Sequence, residues 1–227
     1  MLNVSRLSCV WSLLFCMFAV LAGPTANAQS PALANHLSRI DLSVSGIGEF
    51  NGSGSGVPRS GPVNQTVKLQ TSNTVGALVT LRYIKSPLLG FEGNYSYARY
   101  TENFSPFGNP SSGGVATGGV QTNASEYTLG YVAHTPTFFN VQPFLSAGLG
   151  SIAFRPTPQG GQQLNNQARM AYYYSIGVEK SVLSPHFGFR AQARQVFFLA
   201  PDFGQNYLTI KHRTSTFEPG FGFFLRF

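Results

Sequence analysis

Cysteine occurs only at Cys9 and Cys16, both inside the first 28 residues of a 227-residue chain. Without that segment there is no thiol. This excludes a disulfide framework, a Cys-based metal site and a thiol nucleophile. Charge is scarce as well, at 10% of residues, and the only tryptophan is Trp11. After residue 28 no apolar run reaches the roughly 18 residues of a membrane helix. No stretch there carries the 3.6-residue period of an amphipathic helix either. What the chain has in abundance is Gly (25), Phe (20) and a mean hydropathy of zero. A barrel that alternates apolar and polar residues hides its apolar surface from such an average.

The first 28 residues read as a cleaved signal peptide. Arg6 supplies the positive end, residues 7–21 form a short apolar core, and Ala26-Asn27-Ala28 is a small-residue cleavage site. Phe15 precedes Cys16 and Cys9 comes too early, so no lipid anchor is expected. Residues 29–38 then form a short leader, and 39–227 a single domain, about 199 residues remaining in all.

That domain divides into eight segments with a two-residue period: 39–50, 71–84, 89–100, 122–134, 141–154, 168–180, 186–199 and 214–227. In the second, Val75, Ala77, Val79, Leu81 and Tyr83 share one face. In the sixth, Met170, Tyr172, Tyr174, Ile176 and Val178 do. A period of two is that of a strand with two unlike faces. The connections alternate long and short along the chain, with Gly, Ser, Asn and Pro concentrated in the long ones. The face opposite the apolar set carries Asp41, Glu49, Glu92, Glu126, Glu179 and Glu218, with Arg82, Arg190 and Arg194, leaving Glu102 and Asp202 to loops. A soluble barrel turns its charges outward. Sparse charges of both signs among glycines suit a narrow polar interior instead, with the apolar face toward lipid.

The closing segment makes the comparison specific. Phe217, Pro219, Phe221, Phe223, Leu225 and Phe227 alternate up to a terminal aromatic. This resembles the last strand of bacterial outer-membrane β-barrels. Eight strands, short turns and a closing Phe are similar to the small barrels of the OmpA transmembrane domain and OmpX type. The resemblance implies an all-β, eight-stranded antiparallel transmembrane barrel in the Gram-negative outer membrane. It implies long loops outside and termini in the periplasm. It also makes Phe223, Leu225 and Phe227 a signal for the barrel assembly machinery. With nothing after Phe227, a peptidoglycan-binding domain and cell-wall tethering are not expected.

Three ion pairs are expected in the lumen. Arg82 and Glu92 are equidistant from the turn at Pro87, Glu179 and Arg190 straddle the turn 181–185, and Arg194 and Glu218 sit on adjacent strands. They serve either as a plug that gates a pore or as a filling for a closed lumen, since eight strands leave an interior just wide enough for side chains. His212, with Ser215 and a carboxylate from Asp202 or Glu102, lacks the reciprocal spacing of a catalytic triad, so no catalytic residue is assigned. No metal-ligand spacing and no phosphate-cradling glycine loop is present, and no cofactor is expected. The net charge of +7, or +6 without Arg6, is not clustered as nucleic-acid binding requires. Cations gather instead at the long-loop end. There Arg99, Arg169, Lys211 and Arg213 suit lipopolysaccharide phosphates, a ligand-free solvated rim being the other reading.

The leading functional reading is a monomeric envelope protein with an integrity or surface-loop adhesion role and at most a narrow pore. A lipid-modifying hydrolase or acyltransferase on the same barrel, and a small-solute channel, are the alternatives.

Overall fold

The computed structural model describes residues 35–58, 66–107 and 118–227. The expected leader 1–28, residues 29–34 and Arg59 lie outside them. Among the described residues ten strands form: β1 (Ile40–Asn51), β2 (Gly54–Gly56), β3 (Val67–Thr71), β4 (Thr74–Ser86), β5 (Leu89–Ser105), β6 (Gly118–His134), β7 (Gln142–Pro156), β8 (Gln167–Ser184), β9 (Phe187–Leu199) and β10 (Arg213–Arg226). Eight of them, all but β2 and β3, close into an antiparallel ring. Each pairs with its sequence neighbours, and β1 meets β10 with Leu42 opposite Leu225 and Phe50 opposite Phe217. Closure leaves the ring without an unpaired edge. The eight segments read from the sequence coincide with these strands to within a few residues. No described helix is long and apolar enough to cross a membrane; crossing falls to the strands.

The faces are those the alternation predicts. Val75 is 80% exposed, Leu129 74% and Ile176 59%, while all six inward carboxylates of the strand set are buried. Such a belt of exposed aliphatic and aromatic residues is far larger than a water-soluble monomer tolerates, and lipid is its solvent. Aromatic rings pair across strands within it. Tyr95 lies 5.1 Å from Tyr127, and Phe189 stacks on Phe221 at 5.7 Å. These cross-strand pairs hold the register on the lipid side.

The two ends differ. At one, β4–β5 and β8–β9 are joined by two-residue turns, and a Phe139-Asn140 turn in left-handed conformation (φ 49° and 58°) closes the bridge between Phe138 and Val141. At the other, β5 and β6 run 17 residues each and β8 runs 18, well beyond the 9–11 that span a bilayer. The β5–β8 wall therefore stands taller than the rest. The β2–β3 hairpin leans on it, with β3 paired to β5 from Lys68–Ser105 to Thr71–Glu102.

Candidate functional site: the lumen and its two ends

Near the short-turn end the lumen is filled by a ring of charge. The register sets Arg82 opposite Glu92 and Glu179 opposite Arg190. Arg82 donates to Glu92 Oε2 through Nε (2.6 Å) and to Glu179 Oε1 through Nη1 (2.5 Å). Arg190 donates to Glu179 Oε1 (3.0 Å), Asp41 Oδ1 (2.8 Å) and the Ser43 hydroxyl. Each guanidinium thus bridges two carboxylates on different strands. Two arginines in a buried interior are tolerable only when paired this way. The Arg82 guanidinium also stacks 4.1 Å above the Phe144 ring, a cation–π contact made inside the barrel.

Tyr173 ties this ring to the next level. Its hydroxyl donates to Glu92 Oε1 (2.7 Å) and accepts from Asn94 Nδ2 (2.9 Å). Two glycines make the room: a Cβ on Gly130 would stand 2.2 Å from that hydroxyl, and one on Gly148 2.7 Å from the Tyr173 ring. Above the Tyr173 ring, at 4.3 Å, sits Arg194. Arg194 lies opposite Glu218 in the register and donates to its Oε2 through Nη1 (2.8 Å). Nη2 is shared by Glu126 Oε1 and the Thr128 hydroxyl. Glu49 acts electrostatically on the same group. One guanidinium here holds two carboxylates and acts on a third.

Above Arg194 the interior turns mainly apolar, which corrects the expectation of a polar interior. Tyr100, Phe104, Val120, Ile152, Phe154, Val196 and Phe198 all point inward and are buried. Val67 and Leu69 of β3, with Phe203, Leu208 and Ile210 from the loop 200–212, complete the same cluster. The outer face of β5 turns polar at this height, at Arg99, Thr101 and Asn103, and an apolar core forms inside. Glu102, assigned to a loop from the sequence, instead lies in β5 and is 1% exposed inside this mouth.

The loop 200–212 is locked down by one carboxylate. Asp202 Oδ1 accepts from Gln167 Nε2 (2.7 Å) and the Gly204 N–H (3.0 Å). Its Oδ2 accepts from the Thr209 hydroxyl (3.0 Å) and meets Arg169 Nη2 at 3.0 Å. Gln167 Oε1 in return accepts from the Asp202 and Phe203 amides. Burial pushes the Asp202 carboxyl up, but the hydrogen bonds from Gln167, Gly204 and Thr209, with the Arg169 cation, outweigh it and hold the group below its usual range.

This lock engages one of the rim cations. Arg169, expected with the phosphate-facing cations, turns inward and is committed to Asp202. Arg99, Lys211 and Arg213 are exposed at the long-loop end. Arg99 shares a cross-strand row with Asn123 and Arg155, one step above Tyr97 on the outer face. Phe223, Leu225 and Phe227 lie on the lipid side of β10 or just past its end, with Phe223 stacked on Phe187. The carboxylates that a His212-centred triad would need are placed elsewhere, Asp202 in the loop lock and Glu102 in the apolar mouth.

No family model and no curated protein sequence matches the chain. Solved structures do. Neisserial surface protein A superposes with a TM-score of 0.53 at 16% identity, over 83% of this chain and 97% of that one. The outer membrane protein OprG of Pseudomonas aeruginosa gives 0.54 at 13% identity, over 83% and 95%. At such identities the likeness is one of fold: a closed, eight-stranded, antiparallel barrel of the outer-membrane type.

Proposed function

We propose that the protein is a non-enzymatic, monomeric barrel of the Gram-negative outer membrane whose work is done by the surface it presents outside. The observation carrying this reading is the filled lumen. Arg82, Arg190 and Arg194 are each 2% exposed or less, and the apolar mouth closes over them. Hydrated ions have no path through such an interior, so the ion network serves as filling and the long-loop end as the working face. In this orientation the tall β5–β8 wall, the β2–β3 hairpin and the locked loop 200–212 project outward, with the two-residue turns in the periplasm. A rigid outer platform suits adhesion or envelope integrity. The full chain reconstituted in planar bilayers should show no steady conductance; a stable ohmic current overturns the reading. Lipid A mass profiles from deletion and overexpression strains should be identical, and an acyl change would make the barrel an enzyme.

The rim deepens the proposal. Arg99, Lys211 and Arg213 sit where the outward face turns from aromatic to polar, the level of lipopolysaccharide phosphates in an outer leaflet. Arginine and lysine bind such phosphates by charge-assisted hydrogen bonds. Replacing all three by Gln should reduce lipopolysaccharide-dependent thermal stabilisation and leave the phospholipid-only Tm unchanged. Equal stabilisation of wild type and variant removes this partner.

A further inference from the structure

Inside the short-turn mouth a cavity of about 190 Å³ is lined by Ser38, Arg39, Ser86, His134, Gln142 and Arg226 among others, and no carboxylate lines it. A second cavity of about 310 Å³ shares Gln142 and Arg226 and has Glu179 in its wall. His134 is 2% exposed, yet neither ring nitrogen has a hydrogen-bond partner. Its Nε2 stands 3.6 Å from Glu179 Oε1, too far for a hydrogen bond. Buried polar groups of native proteins are nearly always satisfied, so an imidazole with both nitrogens unsatisfied in a cavity wall points to an occupant.

Charge says what kind. The guanidiniums at this end are Arg39, Arg82, Arg190 and Arg226, and the carboxylates are Asp41, Glu92 and Glu179. Arg82 and Arg190 are consumed by Glu92, Glu179 and Asp41 at 2.5–3.0 Å. Arg226 donates to Glu179 Oε2 at 3.4 Å and lies 3.8 Å from Asp41. Among the described residues no carboxylate lies within 4.0 Å of Arg39. Arg39 stands outside this network, and it borders the cavity.

We infer that this mouth binds a phosphate-class oxyanion, held between Arg39 and Arg226 with His134, Ser38 and Ser86 as donors. A volume of 190 Å³ holds such an anion with a few waters, each filling about 30 Å³ in the liquid. Planar guanidiniums match its oxygens, and an imidazole can turn one N–H toward it. The site is independent of the surface-loop reading, because it lies at the opposite end of the barrel.

The test uses the full chain in an uncharged, phosphate-free glycoside detergent, with inorganic phosphate titrated to roughly 10 mM, the weak end of specific affinity. The readouts are calorimetric heat and the side-chain ¹⁵N resonances of His134. Saturable binding with a His134 shift is expected, weakened about tenfold or more by R39Q, which alters a half-exposed residue and should leave the unfolding midpoint unchanged. H134Q, whose amide can donate but not accept a proton, should retain partial affinity. A parallel titration with phosphatidylglycerol in mixed micelles separates the sources. Saturation by inorganic phosphate assigns a free anion, and saturation by the lipid alone assigns a headgroup. A response to neither, or binding that R39Q leaves intact, overturns the proposal.

Discussion

Arg194 is the residue whose loss should hurt the barrel most, and its partners should be expendable by comparison. The guanidinium is 2% exposed and serves Glu218, Glu126 and Thr128 at once, with Glu49 close enough to act on the group. Replacing it by Met strands buried carboxylates against one another. Breaking a buried pair by removing one partner costs about 3–5 kcal/mol in a dry site. Glu218→Gln is a different perturbation. Arg194 keeps Glu126, and the amide oxygen can still accept from Nη1, so the loss is about 1–2 kcal/mol, part of a charge-assisted hydrogen bond. The double replacement Arg194→Met with Glu218→Leu should fall between the singles, because Glu126 remains uncompensated. Only the triple change that adds Glu126→Gln should approach wild type. Urea unfolding in lipid vesicles reads the series. With slopes of about 1–3 kcal/mol per molar, the Arg194→Met midpoint should drop by roughly 1–5 M and, at the same slope, the Glu218→Gln midpoint by well under that. If Glu218→Gln destabilises as much as Arg194→Met, the hub does not exist and the three carboxylates act separately.

Other expectations follow from single features. Phe227 is 43% exposed on the lipid side and its amide donates to the Ile40 carbonyl; Phe227→Ala should lower the amount assembled in the outer membrane far more than it lowers the unfolding midpoint of refolded protein, as quantitative blots of membrane fractions beside urea melts would tell. The Asp202 carboxyl is held low in the folded state, so its contribution is complete above its ordinary value of 3.8 and disappears as pH falls below it. Asp202→Asn should therefore raise hydrogen exchange across 200–212 at neutral pH to the level wild type reaches only in acid; equal protection of the two proteins at pH 7 counts against the lock. A Cβ at Gly46 would meet nothing within 4 Å, whereas one at Gly150 would stand 1.9 Å from the Tyr127 carbonyl. Gly46→Ala should be neutral or slightly stabilising and Gly150→Ala destabilising by at least about 1–3 kcal/mol, and equal melting temperatures would refute the close approach.

The period-two pattern disclosed the barrel because lipid outside and charge inside are opposite demands, and each strand shows both. Neighbour pairing was also within reach. Arg82 and Glu92 are equidistant from a tight turn, and hairpin geometry then fixes what faces what. Contacts across the lumen were not. Glu179 reaching Arg82, Asp41 reaching Arg190 and Glu126 reaching Arg194 depend on how far the strands shear as the ring closes, a global quantity that no local stretch encodes. Glu102 was misplaced for another reason. It sits on a strand that runs on to Ser105, past the point where the lipid-facing alternation fades.

That fading is itself a signal, visible on β5 alone. Its outward residues run Phe91, Tyr95, Tyr97 and then Arg99, Thr101, Asn103; its inward residues run Glu92, Asn94, Ser96 and then Ala98, Tyr100, with Phe104 beyond Glu102. The outer face turns polar at the height where the inner face turns apolar. On β9 the inward order Arg190, Gln192, Arg194 gives way to Val196 and Phe198 at a comparable height. A strand in lipid must put its apolar side outward and fill the lumen with paired polar groups. The same strand in water must do the reverse, because the hydrophobic effect then acts toward the inside. The exchange of faces therefore marks the membrane surface within one continuous strand. It lies between Tyr97 and Arg99 on the outside and between Ser96 and Ala98 within. Everything above that line, the apolar mouth, the loop lock and the β2–β3 hairpin, is built by the rules of a soluble domain, which is why it can form a rigid platform on a barrel anchored in lipid.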